Sequence, residues 1–85
     1  MIRIITQIEE NCTTVTIEGQ VAEADFGEIR RVRNSVKGEV FLNLRGVKSC
    51  SVGGARILRD WVDAGAKLQA ATPYLEMILN NPAGE

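Results

Sequence analysis

The residues best suited to chemistry lie together between Arg45 and Gly54, a segment with two basic side chains, two serines, one cysteine and three glycines. Glycine lets a backbone approach a ligand closely, and the first turn of a following helix presents free N–H groups with a partial positive charge. With Arg45 and Lys48 nearby, the segment can hold an anion or a nucleotide. An ordinary strand-to-helix turn, in which Ser51 caps the helix and glycines relieve crowding, explains the same residues. The sequence has no G-x-x-x-x-G-K-[ST] phosphate loop.

Catalytic chemistry has little support in this sequence. The chain has no histidine, which removes Ser-His and Cys-His nucleophile pairs and the usual imidazole base. Its two cysteines, Cys12 and Cys50, are too few for a disulfide framework, and without histidine they form no zinc set. Cys50 would be reactive if Lys48 and a helix N-terminus lowered its pKa, but we favour a small, partly buried side chain. We therefore expect no enzymatic activity, no metal and no cofactor.

Length and charge limit the remaining classes of protein. The 85 residues predict a single domain over residues 1–85. Ten basic and eleven acidic side chains give a net charge of −1, which offers no general attraction to nucleic acid or anionic lipid. Arg3 interrupts the apolar start of the chain, and no apolar run approaches the length of a membrane span. We expect a cytoplasmic protein without membrane insertion, either alone or as a small homo-oligomer.

Apolar periodicity divides the chain into strands and helices. Alternation with a period of two predicts strands, and spacings of three and four predict helices. The predicted elements begin with a β-hairpin ending at Gly19, a helix within 22–36 and a short strand over 40–44. A helix from Gly54 to Gly65 and a strand over 66–70 follow. The last predicted element is a helix that opens at Thr72 and Pro73, and its inward residues are Tyr74, Leu75, Ile78 and Leu79. A loop over 45–53 would join the third strand to the second helix.

The element order β-β-α-β-α-β-α predicts the fold class. Right-handed crossovers make strands two, three and four parallel. All four strands alternate, whereas strands covered on both faces would be continuously apolar. We predict a small α/β domain whose four-stranded, mostly parallel sheet has an N-terminal antiparallel hairpin and three helices on one face, above Val15, Ile17, Leu42, Leu44 and Leu68. The other face should be open to water, with Ile5 and Phe41 among Arg3, Gln7, Thr14, Thr16, Glu18, Asn43, Lys67 and Gln69.

Several segments share a pattern with one known family. They are Val15–Val21 (VTIEGQV), Val40–Val47 (VFLNLRGV), the Gly53-Gly54 helix entry, and Gly65–Leu68 followed by Pro73 and Leu79. Together with the element order they resemble the STAS domain, the fold of bacterial anti-sigma-factor antagonists and of the cytoplasmic tails of sulfate transporters. The resemblance covers roughly residues 2–80. It implies a non-catalytic regulatory module that binds a protein partner through the loop over 45–54, the start of the second helix and the loop over 20–23.

The resemblance also bears on phosphorylation. In the family this connection usually reads aspartate, serine, serine, glycine, leucine, and a partner kinase phosphorylates the first serine. With Gly54 at the family glycine, Ser51 takes the place of the aspartate. Val52 then replaces the phosphorylated serine and Gly53 the second serine, so the acceptor is missing. A shift of one residue makes Ser51 the acceptor and Cys50 the aspartate, but it leaves Gly54 where the family has leucine. We favour the first register.

The implied partners are of two kinds. One is an anti-sigma factor or kinase, and the other is the cytoplasmic ATPase of a membrane transporter complex in which a small STAS chain is a subunit. An anion or nucleotide sensor that uses residues 45–54 is the alternative from another class. We expect docking without phosphorylation control, and Ser51 becomes the phosphorylation site only in the second register. The predicted partner-binding residues are Gln20, Arg45, Lys48, Ser49, Cys50, Ser51, Val52, Gly53 and Gly54.

Overall fold

The computed structural model describes residues 2–36 and 38–80 of the chain. The elements within them are β1 (Ile2–Ile8), β2 (Cys12–Val21), a 3-10 turn (Glu23–Asp25), α1 (Phe26–Ser35), β3 (Glu39–Cys50), α2 (Val52–Asp63), β4 (Lys67–Ala71) and α3 (Pro73–Asn80). In this part of the chain, no helix is both long enough and apolar enough to cross a bilayer.

The strands form one sheet in the order β1-β2-β3-β4. β1 is antiparallel to β2, whereas β2, β3 and β4 are mutually parallel. The α1 and α2 helices are the crossovers between the parallel strands, because each connects one strand to the next in the sheet. This arrangement confirms the predicted fold class.

The three helices contribute to one core on one face of the sheet. The inward side chains of the two central strands are fully buried, as predicted, and are Val15, Ile17, Leu42 and Leu44. They cluster with Ile29 of α1, Leu58 and Trp61 of α2, and Leu75 and Leu79 of α3. Leu68 packs against this cluster but is only partly buried, because β4 is an outer strand.

The opposite face of the sheet is open, which confirms the second half of the prediction. The strand register aligns its side chains in rows, namely Gln7–Thr14–Phe41–Lys67, Ile5–Thr16–Asn43 and Arg3–Glu18. Ile5 is 38% exposed, and Phe41 is half-buried among its neighbours. The exposed Gln69 lies in β4.

The predicted loop over 45–53 is wrong, because β3 continues to Cys50. It pairs along this length with β2, which itself continues past the predicted hairpin end at Gly19 to Val21. The two central strands therefore extend together as a ribbon toward the start of α2.

Bulges in β3 hid this extension from the alternation pattern. Two register shifts in its pairing with β2 add one residue after Asn43 and another at Lys48. A bulge moves the next inward side chain by one position, so the buried residue after Leu44 is Val47. The alternation with a period of two is therefore lost beyond Leu44, although the strand continues to Cys50.

A similar shift changes the end of β4. Leu68 pairs with Leu42, but the next pair joins Ala70 to Asn43 on the open face. Ala71 instead packs against the core. The strand predicted over 66–70 therefore runs from Lys67 to Ala71, and the register shift at Gln69 turns Ala71 rather than Ala70 toward the core.

The helix ends follow the local sequence signals. The carboxylate of Asp25 accepts the N–H of Ala22 at 3.0 Å, and the resulting turn leads into α1. At the end of α2, Gly65 has φ +124°, and the Ala66 N–H donates to the Trp61 carbonyl at 3.1 Å. This is the glycine-terminated helix end that the sequence predicts.

The last helix begins as predicted but faces differently. The Thr72 hydroxyl oxygen accepts the N–H of Leu75 at 3.3 Å, and Pro73 is the first helical residue. Leu75 and Leu79 are buried, whereas Tyr74 is 55% exposed, so its predicted inward orientation is wrong. The predicted inward position of Ile78 concerns a side chain outside the described set.

Candidate functional site

The candidate site is the junction at which β2 and β3 end and α2 begins. The Ser51 N–H donates to the Val21 carbonyl at 3.0 Å, which ties the two strand ends together. The Ser51 hydroxyl accepts the Gly54 N–H at 3.1 Å, so this serine is the N-cap of α2. The Ala55 N–H then donates to the Ser51 carbonyl at 2.9 Å as the helix proceeds. α2 consequently begins at Val52, earlier than the predicted start at Gly54.

Two glycines allow α2 to pack closely at this junction. A Cβ on Gly54 would lie 2.7 Å from Val21 Cγ1 and 3.0 Å from Cys50 Sγ. Phe26 is the first residue of α1, and a Cβ on Gly53 would lie 2.9 Å from its Cζ atom. The glycines therefore serve the packing role that the sequence offered as their ordinary explanation, and they bring β2, α1 and α2 together.

Val52 is the most unusual residue of the junction. It occupies the first position of α2 and is 84% exposed, although its side chain is entirely apolar. The adjacent Gly53 is half-buried against Phe26, and the exposed Ser49 pairs with the exposed Gln20 at the end of the strand ribbon. We call the four residues Gln20, Ser49, Val52 and Gly53 the α2 entry surface.

The two predicted cations have different positions. Arg45 lies away from the α2 entry surface, and Lys48 faces a groove beside the open sheet face. Arg45 is exposed in the middle of β3. Lys48 lines an open groove of about 520 Å³ together with Arg3 and Glu18, which belong to the open sheet face. The predicted loop that would cradle an anion is thus a paired strand as far as Cys50, and its Lys48 lines the groove that also contains Glu18.

Gly46 explains part of the groove geometry. A Cβ at Gly46 would lie 2.7 Å from Glu18 Cγ and 3.2 Å from Glu18 Cβ. The stem of the Glu18 side chain therefore lies across Gly46 on the neighbouring strand. This close approach fixes one wall of the groove.

Cys50 is not an activated thiol. It is half-buried behind the α2 entry surface, and burial raises the pKa of its thiol from 9.0 to about 11. The thiol therefore stays protonated at neutral pH, and only the thiolate is a strong nucleophile. Neither cysteine is in a disulfide, and no group of three or more metal-ligating side chains occurs among the residues that the structure describes.

The structure brings together most, but not all, of the predicted site residues. Gln20, Ser49, Cys50, Ser51, Val52, Gly53 and Gly54 meet at the junction, with Cys50, Ser51 and Gly54 forming its inner side. Phe26 was not predicted to belong to it, and the pairing of Val21 with Cys50 was not predicted either. The continued alternation from Ile17 through Gly19 to Val21 would have indicated the longer β2.

No protein-family model matches the chain, and no curated protein matches it. The STAS resemblance therefore depends on the residue patterns and on the element order.

Proposed function

We propose that this chain is a non-catalytic, STAS-type regulatory module that binds a protein partner through the α2 entry surface without phosphorylation control. The observation that carries this proposal is the 84% exposure of Val52 at the first residue of α2. When a partner covers an aliphatic side chain in that position, the burial lowers the free energy of the complex. Burying it fully is worth about 1.5 kcal/mol, or roughly tenfold in affinity.

The capping geometry supports the register in which the acceptor is missing. Aspartate and serine are both preferred N-cap residues, so Ser51 can take the place of the family aspartate at the start of the helix. In that register Val52 replaces the phosphorylated serine. The other register would make the Ser51 hydroxyl the phosphate acceptor. Ser51 is half-buried, and its hydroxyl oxygen accepts a hydrogen bond from the Gly54 N–H.

The missing hydroxyl bears on one of the two implied partner classes. A kinase-controlled anti-sigma switch needs an acceptor at the helix entry, since the phosphate supplies the charge that remodels the interface. Val52 provides none. The missing acceptor therefore weakens the anti-sigma kinase type of partner, but it does not by itself select the transporter-ATPase type.

The anion or nucleotide sensor has less support. Residues 45–50 are paired strand, and Lys48 lines a groove with the acidic Glu18. A thermal shift with inorganic phosphate or ATP would detect such a ligand through mass-action stabilisation. We expect no shift from either compound.

Site-specific photo-crosslinking in the native cell tests the docking proposal. A photoreactive amino acid replaces Val52 in one variant and Met77 in the control, because Met77 is also apolar and 57% exposed but lies on α3. We expect one discrete protein adduct at position 52 that is absent at position 77. Identical adducts at both positions, or none at position 52, would contradict the proposal.

A further inference from the structure

The outer edge of β1 is free to accept another strand. Within the described residues, β1 pairs with β2 on one side and with no strand on the other. It is seven residues long, contains four isoleucines and no proline, and pairs with β2 without a register shift. Arg3 is its one charged residue. Such an edge is a template for strand pairing.

The other outer strand shows the contrast. β4 is five residues long, has a register shift before Ala70, and is followed closely by Pro73. Its first residue, Lys67, is exposed and forms an ion pair with Glu39 at 2.7 Å. A lysine, a bulge and a short length are the devices that normally block edge pairing. β4 is therefore protected and β1 is not.

We propose that a second copy of this chain occupies this edge, with the two β1 strands antiparallel about a twofold axis at Ile5. Residues directly opposite each other in an antiparallel pair point to the same face of the sheet. The twofold axis must therefore pass between one residue and the same residue of the second copy. Ile5 is the central residue of Ile2–Ile8, so we place the axis there. This register pairs the whole strand.

The register covers the apolar side chains that one chain leaves exposed. Ile5, 38% exposed on the open face, lies opposite the Ile5 of the second copy. Ile8, 81% exposed in the single chain, lies opposite the partly buried Ile2 of that copy. Cross-strand pairs of β-branched residues stabilise antiparallel sheets.

The charges are also complementary. Arg3 lies opposite the Gln7 of the second copy, and Glu9 follows two residues later, just past the end of β1, with its carboxylate 3.8 Å from the Cys12 Sγ of its own chain. Long side chains can reach such diagonal neighbours, so Arg3 and Glu9 attract each other at both ends of the interface. No like charges face each other in this register.

The dimer would join two four-stranded sheets into one continuous sheet. Because the copies are antiparallel, their α2 entry surfaces would lie at opposite ends of that sheet. This inference is independent of the proposed function, since it uses none of the residues of the α2 entry surface.

Sedimentation equilibrium over a concentration series tests the pairing. We expect the unaltered chain to approach twice its 9.3 kDa mass. Ile5→Glu places two carboxylates together at the axis and should weaken dimerisation at least tenfold. Gln7→Glu adds the same charge on the same face but opposite Arg3, so it should leave the dimer intact. A single-chain mass at every concentration, or equal effects of the two variants, would overturn the proposal.

A cysteine pair tests the register without depending on a destabilising charge. In a Cys12→Ser, Cys50→Ala background, oxidised glutathione should convert the two Ile5→Cys thiols of a dimer into one disulfide, with glutathione released in its reduced form. Gln7→Cys is the control, because four residues would separate it from its own counterpart, about 14 Å and outside disulfide reach. Circular dichroism verifies that each variant is folded. Equal crosslinking of both variants would refute the Ile5 axis.

Discussion

Gly54 of α2 lies so close to Val21 of β2 that a Cβ on the glycine would be 2.7 Å from Val21 Cγ1. This contact places the start of α2 directly on the end of the strand ribbon. The same junction contains the capping Ser51, the exposed Val52 and the half-buried Cys50.

Gly54→Ala should therefore destabilise the fold by about 1–3 kcal/mol, since overpacking outweighs the roughly 1 kcal/mol by which alanine favours a helix. Gly27→Ala in α1 is the matched control, because a Cβ there would meet nothing within 4 Å. Its effect should be neutral or stabilising. Urea unfolding followed by circular dichroism measures both, and equal stabilities of the two variants would contradict the packing role of Gly54.

Trp61→Ala should cost about 3–5 kcal/mol, because the indole is only 4% exposed and belongs to the core under all three helices. Met77→Ala, at an exposed position of α3, should cost well under 1 kcal/mol. Urea unfolding should be followed by circular dichroism. Trp61 is the only tryptophan of the chain, so the Trp61→Ala variant has no tryptophan fluorescence to follow. A small loss for Trp61→Ala would show that the core is not organised around it.

The thiol of Cys50 should react slowly with iodoacetamide at pH 8 in the folded protein and much faster in urea. Burial raises its pKa to about 11, so the folded thiol keeps its proton over a range in which the unfolded thiol, with a pKa of 9.0, loses it. The reaction rate of a Cys12→Ser variant should rise with pH up to about 11. Fast alkylation below pH 8 would instead indicate an activated thiolate.

Incubation with ATP and a STAS-family kinase should leave the junction unmodified. Mass spectrometry can inspect Ser49 and Ser51 separately, and Val52→Ser supplies a variant with a hydroxyl at position 52. We expect no phosphate on the unaltered chain, because Val52 has no acceptor oxygen. Stoichiometric phosphate on Ser51 would support the shifted register and the anti-sigma mechanism.

The sequence was sufficient for the layers of the fold but not for the strand ends. Alternation around Val15, Ile17 and Leu42 predicts a core on one face and an open sheet on the other, because a period of two is a direct consequence of strand geometry. A bulge breaks that period without ending the strand, so the extension of β3 past Leu44 could not be predicted from the pattern.

The site was partly predictable for the same reason. The N-cap role of Ser51 and the packing role of the glycines follow from local chemistry, and both were offered by the sequence. The contact of Gly53 with Phe26 depends on how α1 lies across the sheet, which is a tertiary property. The exposure of Val52 could not be deduced from its apolar type.

The most direct test of the central claim is the affinity of the protein captured at position 52, measured by isothermal titration calorimetry with phosphatase-treated chain. The unaltered chain and Met77→Asp should bind equally, while Val52→Asp should bind at least tenfold more weakly. Equal binding of Val52→Asp, or binding that appears only after phosphorylation, would contradict docking through an apolar, phosphorylation-independent helix entry.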